Sequence, residues 1–306
     1  MKNMKIIFFG TPEFAVPTLE ALSLIPNIEI VKVITQPDKK VGRKQLLTPP
    51  AVKEAAEKLK LKVEQPTTKK ELKNILTEKV DFFIVIAYGM ILPDSVLKIP
   101  KFGAINIHAS LLPKYRGASP IQETLLNGDE ETGITIMKID KKLDHGPVYA
   151  LKRVKIEKTD TLETLTKKLS IEGTQLLAPT LKDIYEGELR PLPQKEENAT
   201  HCRKIKKEDG EIDFKKSAKE IYNMTKAYTP WPSVFTTFNN KKIKILETTY
   251  EKNDTKKSPG EFFIEEKVLK IATIKGTLLP TKLQIEGKKE MSDKDFSNSN
   301  ASLLKP

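Results

Sequence analysis

The sequence INIHASLLPKYRG, residues 105–117, opens with a largely apolar run that ends at Pro113 and contains Asn106 and His108 two positions apart. If this run is a β-strand, Asn106 and His108 project from one face of it, because strand side chains alternate between faces. An asparagine amide and a protonated imidazole can both donate to an oxygen that becomes negative when a carbonyl carbon turns tetrahedral. The stretch therefore predicts a strand that presents groups suited to acyl transfer.

A carboxylate follows in the sequence LDHGP, residues 143–147. We expect Asp144 to hold the imidazole of His108 in one tautomer and to favour its charged form. Taken singly, the residues also have ordinary structural interpretations: a strand-end asparagine in a turn, a core histidine with satisfied hydrogen bonds, and a capping aspartate. The single residues leave both interpretations open.

Short apolar runs alternate with helical patterns over residues 5–186, which predicts an α/β domain with a mostly parallel sheet covered by helices on both faces. We predict strands at residues 6–9, 28–34, 62–64, 82–87, 104–108, 133–139 and 148–156, and helices at residues 13–24, 51–59, 69–76, 121–126 and 162–185. Ligands bind beyond the carboxyl ends of the strands in such a sheet. Gly10, Gly89, His108 and Asp144 are therefore expected in one crevice.

A second domain is indicated after residue 203. Residues 190–203 are charged, contain prolines and lack periodicity, as is typical of a linker. A helix over residues 213–228 is then followed by five short strands, which favour a small OB-like β-barrel, at residues 233–238, 241–248, 260–264, 268–272 and 277–285. We predict domains at 1–189 and 204–306 joined by this linker, with residues 297–306 as a loose tail.

Composition limits the classes of function. The 306 residues carry a formal charge of +12, which favours a polyanionic partner. No stretch approaches 18 apolar residues, and the first residues run directly into a strand, so we expect a soluble cytoplasmic protein with no membrane segment. Cys202 is the only cysteine and the three histidines lack zinc-ligand spacing, so we expect no metal and no redox chemistry.

Taken together, INIHASLLPKYRG and LDHGP resemble the signature of the folate-dependent formyltransferases, which move a formyl group from 10-formyltetrahydrofolate to an amine. The resemblance covers nearly the full chain, and it puts Asn106, His108 and Asp144 on the catalytic triad of that family. It implies a Rossmann-like catalytic domain, 10-formyltetrahydrofolate as the formyl donor, and direct attack by the amine through a tetrahedral intermediate.

Three further motifs resemble the family members that formylate the α-amine of methionine on initiator tRNA. They are FGTPEFA at residues 9–15, TQPD with a following Gly-Arg at residues 35–38 and 42–43, and AYTPWP at residues 227–232. We therefore expect methionyl initiator tRNA as the partner, a role in translation initiation, and a monomer.

The resemblance also implies where the folate binds. The loop IAYGMILP, residues 86–93, is expected to flank the folate, because a flat pterin ring needs an apolar slot with a few backbone donors and acceptors. Composition alone favours core packing for the same residues. The expected folate contacts are Ile86, Tyr88, Gly89, Ile91, Leu92, Ser110, Leu111, Leu112 and Pro113.

The long basic loop at residues 36–49 is the expected contact with the acceptor stem of the tRNA. Arg43 and Lys44 are predicted to contact RNA, although the basic and glycine run after Arg43 is short, which leaves the depth of insertion open. Gly10 is expected to approach the acceptor substrate closely. Arg116 is predicted to pair with a substrate carboxylate or phosphate, or else to brace the loop that carries His108.

The junction between the domains offers further positive charge. Phosphate contacts are predicted for Arg203, Lys204, Lys206 and Lys207, with a solvated charged face as the alternative. Trp231 could stack on a base, but anchoring the core of the second domain is the favoured interpretation. We expect no chemical role for His145.

Other functions remain open at this point. A formyltransferase acting on a small amine, such as glycinamide ribonucleotide or an amino sugar nucleotide, would leave the second domain without a task. A 10-formyltetrahydrofolate hydrolase could use the same triad with water as the nucleophile. A noncatalytic tRNA-binding protein would have no use for an intact triad. A nicotinamide enzyme is disfavoured because residues 9–12 lack the full glycine fingerprint.

Overall fold

The computed structural model describes residues 3–42, 45–300 and 304. The chain forms two compact units that are discontinuous in sequence. The first unit comprises residues 1–117, 131–155 and 166–201, and the second comprises residues 118–130, 156–165 and 202–306. Domain boundaries at residues 189 and 204, with a linker between them, stay a prediction.

The helices and strands follow in chain order. The described strands are β1 Met4–Gly10, β2 Ile28–Ile34, β3 Lys39–Val41, β4 Leu46–Thr48, β5 Val63–Glu64, β6 Phe82–Ile86, β7 Gly103–His108, β8 Arg116–Gly117, β9 Glu131–Lys138, β10 Val148–Lys155, β11 His201–Cys202, β12 Val234–Phe238, β13 Lys241–Glu251, β14 Phe262–Glu265, β15 Val268–Ala272, β16 Thr277–Ile285 and β17 Glu290–Ser292. The described α-helices are α1 Val16–Ser23, α2 Ala51–Lys58, α3 Lys69–Ile75, α4 Asp94–Leu97, α5 Pro120–Asn127, α6 Leu162–Glu186, α7 Ala218–Tyr228 and α8 Asp293–Ser299.

The first unit contains a seven-stranded sheet in the order β10-β9-β7-β6-β1-β2-β5. The strands from β7 to β5 in this order run parallel, whereas β9 is antiparallel to both β7 and β10. The predicted α/β class with a mostly parallel sheet is confirmed. All seven predicted strands are present, and the sequence patterns missed the β3–β4 hairpin and the short helix α4.

The centre of this sheet is apolar because helices cover both of its faces. Strand β6 is buried along its whole length, as its sequence FFIVI predicts. Phe9 and Phe83 on neighbouring strands pack with ring centroids 5.0 Å apart. A Cβ atom at Gly173 of α6 would lie 2.8 Å from Cγ2 of Ile107, so the missing side chain lets the helix pack closely against β7. These contacts fix the strand that carries the polar pair.

The second unit contains an antiparallel sheet in the order β12-β13-β16-β15-β14, with β17 paired to β16. The five strands predicted for the OB-like domain are all present. Helix α7 begins at Ala218 rather than at residue 213, because Ser217 and Glu220 form a reciprocal capping box at that point.

Two predictions for this unit are wrong. The predicted loose tail at residues 297–306 is wrong at its start, because residues 297–299 belong to α8 and Ser297 is buried. Residues 301–303, 305 and 306 lie outside the described residues. Trp231 is 54% exposed and does not anchor a core, whereas Tyr228 just before it is buried. Among the helices that the structure describes, none has the length and apolar character that crossing a membrane requires.

Candidate active site

Strand β7 presents Asn106 and His108 on one face, as the alternation of the sequence predicts. His108 is paired in register with Thr135 of β9, and Asn106 is paired with Met137 of β9. His108 is buried and Asn106 is half-buried. The two side chains that could donate to a developing oxyanion therefore lie side by side, on a strand whose opposite face packs against α6.

The imidazole of His108 lies between a carbonyl and a carboxylate. Its Nε2 is 3.0 Å from the backbone oxygen of Tyr115, and its Nδ1 is 3.7 Å from Oδ2 of Asp144. A carbonyl oxygen can only accept, so Nε2 carries the hydrogen in this contact. A second proton, on Nδ1, would face the carboxylate. The structure thus brings His108 and Asp144 together, while their catalytic roles stay a prediction.

Asp144 is held by a hydrogen bond to its carboxylate. Its carboxylate accepts a hydrogen bond from the backbone N–H of Gly117, at 2.8 Å. Its φ of +48° lies in the left-handed region, which aspartate tolerates better than most residues.

Within the part of the chain that the structure describes, the side-chain amide of Asn106 has no protein partner. The amide is therefore available to a ligand.

Thr135 fixes the loop after β7, and sequence reasoning missed it. Its buried hydroxyl donates to the carbonyl of Ser110 at 2.7 Å and accepts from the N–H of Leu112 at 3.1 Å. The hydroxyl of Ser110 in turn donates to the carbonyl of Lys114, at 2.6 Å. Thr135 lies opposite His108 in the register of β7 and β9, and this register, which no local pattern gives, is what identifies its role.

Leu111 fills space beside Gly133 of β9, the strand that also carries Thr135. A Cβ atom at Gly133 would lie 2.4 Å from Cδ2 of Leu111 and 2.2 Å from the carbonyl oxygen of Lys152. Real Cβ atoms do not come that close to backbone, so Gly133 leaves the space that Leu111 fills. Two positions on β9 therefore shape the loop that was predicted to contact the folate.

Arg116 has partners within its own unit. The guanidinium is 2% exposed and donates to Oε1 of Gln194 and to both carboxylate oxygens of Glu196. The contact with Arg116 holds the pKa of the Glu196 carboxyl below its ordinary value. Of the two roles considered for Arg116, these contacts correspond to bracing the loop that follows His108 rather than to pairing with a substrate.

His145 also has polar partners, although we predicted no chemical role for it. Its Nδ1 lies 2.7 Å from Oδ2 of Asp140, and its Nε2 lies 3.8 Å from Oε2 of Glu196. These contacts connect His145 to the surroundings of Arg116 and not to the imidazole of His108.

The predicted folate loop combines core residues with one exposed side chain. Tyr88 and Leu92 belong to the core cluster, and burial raises the pKa of Tyr88 to about 12. The Tyr88 ring packs edge-on against Phe9 with centroids 5.4 Å apart, and its buried hydroxyl has no partner among the described residues. Ile91 is 71% exposed. Core packing thus accounts for the side chains of Tyr88 and Leu92, and folate contact stays a prediction for this loop.

Gly10 is enclosed by the protein itself. A Cβ atom there would lie 2.8 Å from Cε1 of Phe8 and 2.9 Å from Cβ of Ala15. The glycine is therefore required for packing between β1 and the following helical turn, whether or not a substrate approaches its backbone.

The predicted RNA contacts differ in what the structure says of them. Arg43 and Lys44 lie outside the described residues. Arg203 is exposed but donates to both carboxylate oxygens of Asp209, at 2.7 and 2.6 Å, so much of its charge is compensated. The side chains of Lys204, Lys206 and Lys207 are exposed. A phosphate contact stays a prediction for these residues.

Family models match both parts of the chain. One described as formyl transferase matches residues 4–181, and one described as formyl transferase, C-terminal domain, matches residues 204–301. Two solved structures share the fold. An N-formyltransferase from Helicobacter canadensis is 21% identical, with a TM-score of 0.67 over 92% of this chain and 99% of that chain. A methionyl-tRNA formyltransferase from Clostridium thermocellum is 16% identical, with a TM-score of 0.54 over 81% of this chain and 94% of that chain.

Curated relatives are closer in sequence. A methionyl-tRNA formyltransferase from Listeria monocytogenes serotype 4a (strain HCC23) is 44% identical over 95% of this chain and 94% of the relative. One from Staphylococcus aureus (strain bovine RF122 / ET3-1) is 39% identical over 98% of this chain and 97% of the relative. The resemblance inferred from the motifs is confirmed, and the chain belongs to the methionyl-tRNA formyltransferase family.

Proposed function

We propose that the protein transfers the formyl group of 10-formyltetrahydrofolate to the α-amine of methionine esterified to initiator tRNA. The observation that carries this proposal is the position of His108, with Asn106 beside it on β7 and Asp144 at 3.7 Å from Nδ1. This arrangement occurs in a chain that is 44% identical over nearly its full length to a relative named for the same activity.

The neutral amine would attack the formyl carbon and form a new C–N bond, while the formyl oxygen becomes an oxyanion. The amide of Asn106, which has no partner among the described residues, would donate to that oxygen. The Nε2–H of His108 could turn from the Tyr115 carbonyl to the same oxygen, because catalytic hydrogen bonds often form only in the complex. The intermediate then collapses: the C–N10 bond of the folate breaks, and the proton of the former amine passes to N10.

The folate would bind along the two loops that follow β6 and β7. The first loop offers an exposed apolar side chain, Ile91, and turns through Gly89, whose φ of +88° favours glycine. The second loop, residues 110–113, is held by the hydroxyl of Thr135. An apolar surface with exposed backbone polar groups suits a flat pterin ring.

The tRNA would contact the basic segments of both units. The exposed residues Lys204, Lys206 and Lys207 offer phosphate contacts in the second unit. In the first unit, the β3–β4 hairpin exposes Val41, Leu46 and Leu47 beside the predicted RNA contacts Arg43 and Lys44. A small-amine acceptor would leave these features without a function.

The test supplies purified protein and 10-formyltetrahydrofolate with methionyl initiator tRNA, free methionine or glycinamide ribonucleotide in parallel. Formylation of the charged tRNA alone is the expected result. Formylation of glycinamide ribonucleotide would replace the proposed acceptor with a small amine. Folate turnover with no formylated amine would show hydrolysis instead.

A further inference from the structure

We infer that Gln194 is a positioning residue for the catalytic carboxylate, an inference that rests on the proposed function. Gln194 lies in the segment whose composition predicts a linker, 50 residues from Asp144 in sequence. Its side-chain amide nevertheless contacts the backbone on both sides of His145. Neither the motifs nor the predicted triad points to it.

Both ends of the Gln194 side-chain amide are occupied by hydrogen bonds. Its NH₂ group donates to the carbonyl oxygens of Asp144 at 2.9 Å and Gly146 at 2.8 Å. Its Oε1 accepts from Nε of Arg116 at 3.0 Å and from Nη2 of Arg116 at 2.9 Å. Because a guanidinium can only donate and carbonyls can only accept, these partners admit one orientation of the amide. Gln194 is therefore both held in place and directional.

The backbone that Gln194 holds is an unusual one. Asp144 has a φ of +48°, in a region that few non-glycine residues adopt, although aspartate tolerates it better than most. Gly146 is enclosed as well, since a Cβ atom there would lie 1.8 Å from the carbonyl oxygen of Lys138. Hydrogen bonds to the carbonyls of residues 144 and 146 stabilise this turn of the chain at both ends.

The Asp144 carboxylate connects this turn of the chain to the imidazole of His108. The Asp144 carboxylate accepts from the Gly117 N–H and faces Nδ1 of His108. If the backbone of Asp144 moves, the carboxylate moves with it, and a misplacement near 1 Å at a catalytic group can cost about 100-fold in rate. The path therefore runs from Gln194 to the Asp144 backbone, to its carboxylate, and to His108.

Gln194→Glu is the sharpest substitution. It keeps the shape and the contact with Arg116, but it replaces the NH₂ donors with an oxygen that faces two carbonyl oxygens. We expect kcat to fall about 10- to 100-fold, with the KM for both substrates changed less than about 3-fold. Gln175→Glu is the matched control, because Gln175 is an exposed residue of α6 in the same unit and receives the same added charge. It should retain full kcat.

A double-mutant cycle separates positioning from general damage to the fold. In an Asp144→Ala background, Gln194→Glu should change kcat less than about 3-fold, because the group that it positions is already gone. An equal loss of kcat in both backgrounds would overturn the inference. So would an unchanged kcat for Gln194→Glu in the otherwise unaltered chain. If Gln194→Glu folds poorly, Gln194→Met replaces it in the cycle, because it adds no charge. Its loss of kcat should likewise be smaller in the Asp144→Ala background than in the otherwise unaltered chain.

A measurement without turnover keeps the inference independent of the acceptor. The chain has three histidines, so the NMR signals of the His108 ring can be assigned with a His108→Gln variant. Gln194→Glu should shift these signals in the direction that Asp144→Ala shifts them, and Gln175→Glu should not. Unshifted His108 signals in Gln194→Glu would contradict positioning even if the acceptor proves to be another amine. A wild-type protein with no formyl transfer would count against the proposed function alone.

Discussion

Thr135→Val removes one hydroxyl from the centre of the site and changes little else. The side chain is fully buried, and valine nearly matches threonine in shape and suits a β-strand. The hydroxyl accepts from the N–H of Leu112 and donates to the carbonyl of Ser110, so both backbone groups lose a partner. A loss of stability can therefore be assigned to these two hydrogen bonds.

The magnitude follows from the cost of an unsatisfied buried polar group, about 1–3 kcal/mol. The N–H of Leu112 is the costlier orphan, because a carbonyl has a second lone pair. We expect the free energy of unfolding to fall by roughly 2–3 kcal/mol and the melting temperature to fall by about 4–12 °C, using about 2–4 °C per kcal/mol for a unit of this size. We also expect the KM for 10-formyltetrahydrofolate to rise about 10-fold, because the loop at residues 110–113 loosens.

Thermal unfolding and steady-state kinetics of matched variants supply the assay. Thr180→Val is the control, since Thr180 is buried in α6 and its hydroxyl donates to the Leu176 carbonyl, which also serves the helix ladder. Removing that hydroxyl leaves no orphan, so a loss below about 1 kcal/mol is expected. If Thr135→Val is no more destabilising than Thr180→Val, the loop is not held as described.

Three further predictions concern the oxyanion, an ion pair and the RNA contact. Asn106→Ala should lower the rate constant of formyl transfer about 100- to 1000-fold in a single-turnover assay, and a near-full rate would remove Asn106 from the mechanism. Arg203 holds the pKa of the Asp209 carboxyl below its ordinary 3.8, so the pair stabilises the fold above that pH and less as pH falls through the lowered pKa. Asp209→Asn should therefore lower the melting temperature slightly at pH 7, because the Arg203 side of the pair is exposed, and calorimetry should show this difference vanish on acidification. Replacing Lys204 and Lys207 together with alanine should weaken tRNA binding and reduce its salt dependence by about 0.7–0.9 per lost phosphate contact, and an unchanged slope would leave only a solvated face.

The fold class could be predicted because each layer has a local pattern. Continuous apolar runs such as FFIVI mark strands buried on both faces, and alternation on β7 put Asn106 and His108 on one face. The pairing of His108 with Asp144 was predicted through the resemblance, and the structure brings the two side chains together.

The rest depends on contacts between distant segments. The role of Gln194 rests on hydrogen bonds to residues 50 and 48 positions away, which no local pattern records. Thr135 reads as an ordinary strand residue until its register with His108 is known. The exposure of Trp231 was mispredicted because composition favours burial of a large aromatic residue. Helix α8 was missed because a polar composition favours a loose chain end.

The most direct test of the account follows a labelled formyl group through one turnover with methionyl initiator tRNA. Direct transfer by Asn106, His108 and Asp144 predicts one tetrahydrofolate released for each formylmethionine formed on the tRNA, with no labelled protein and no free formate. Formate released in proportion to folate turnover would contradict transfer to the amine, and label on the protein would contradict direct attack.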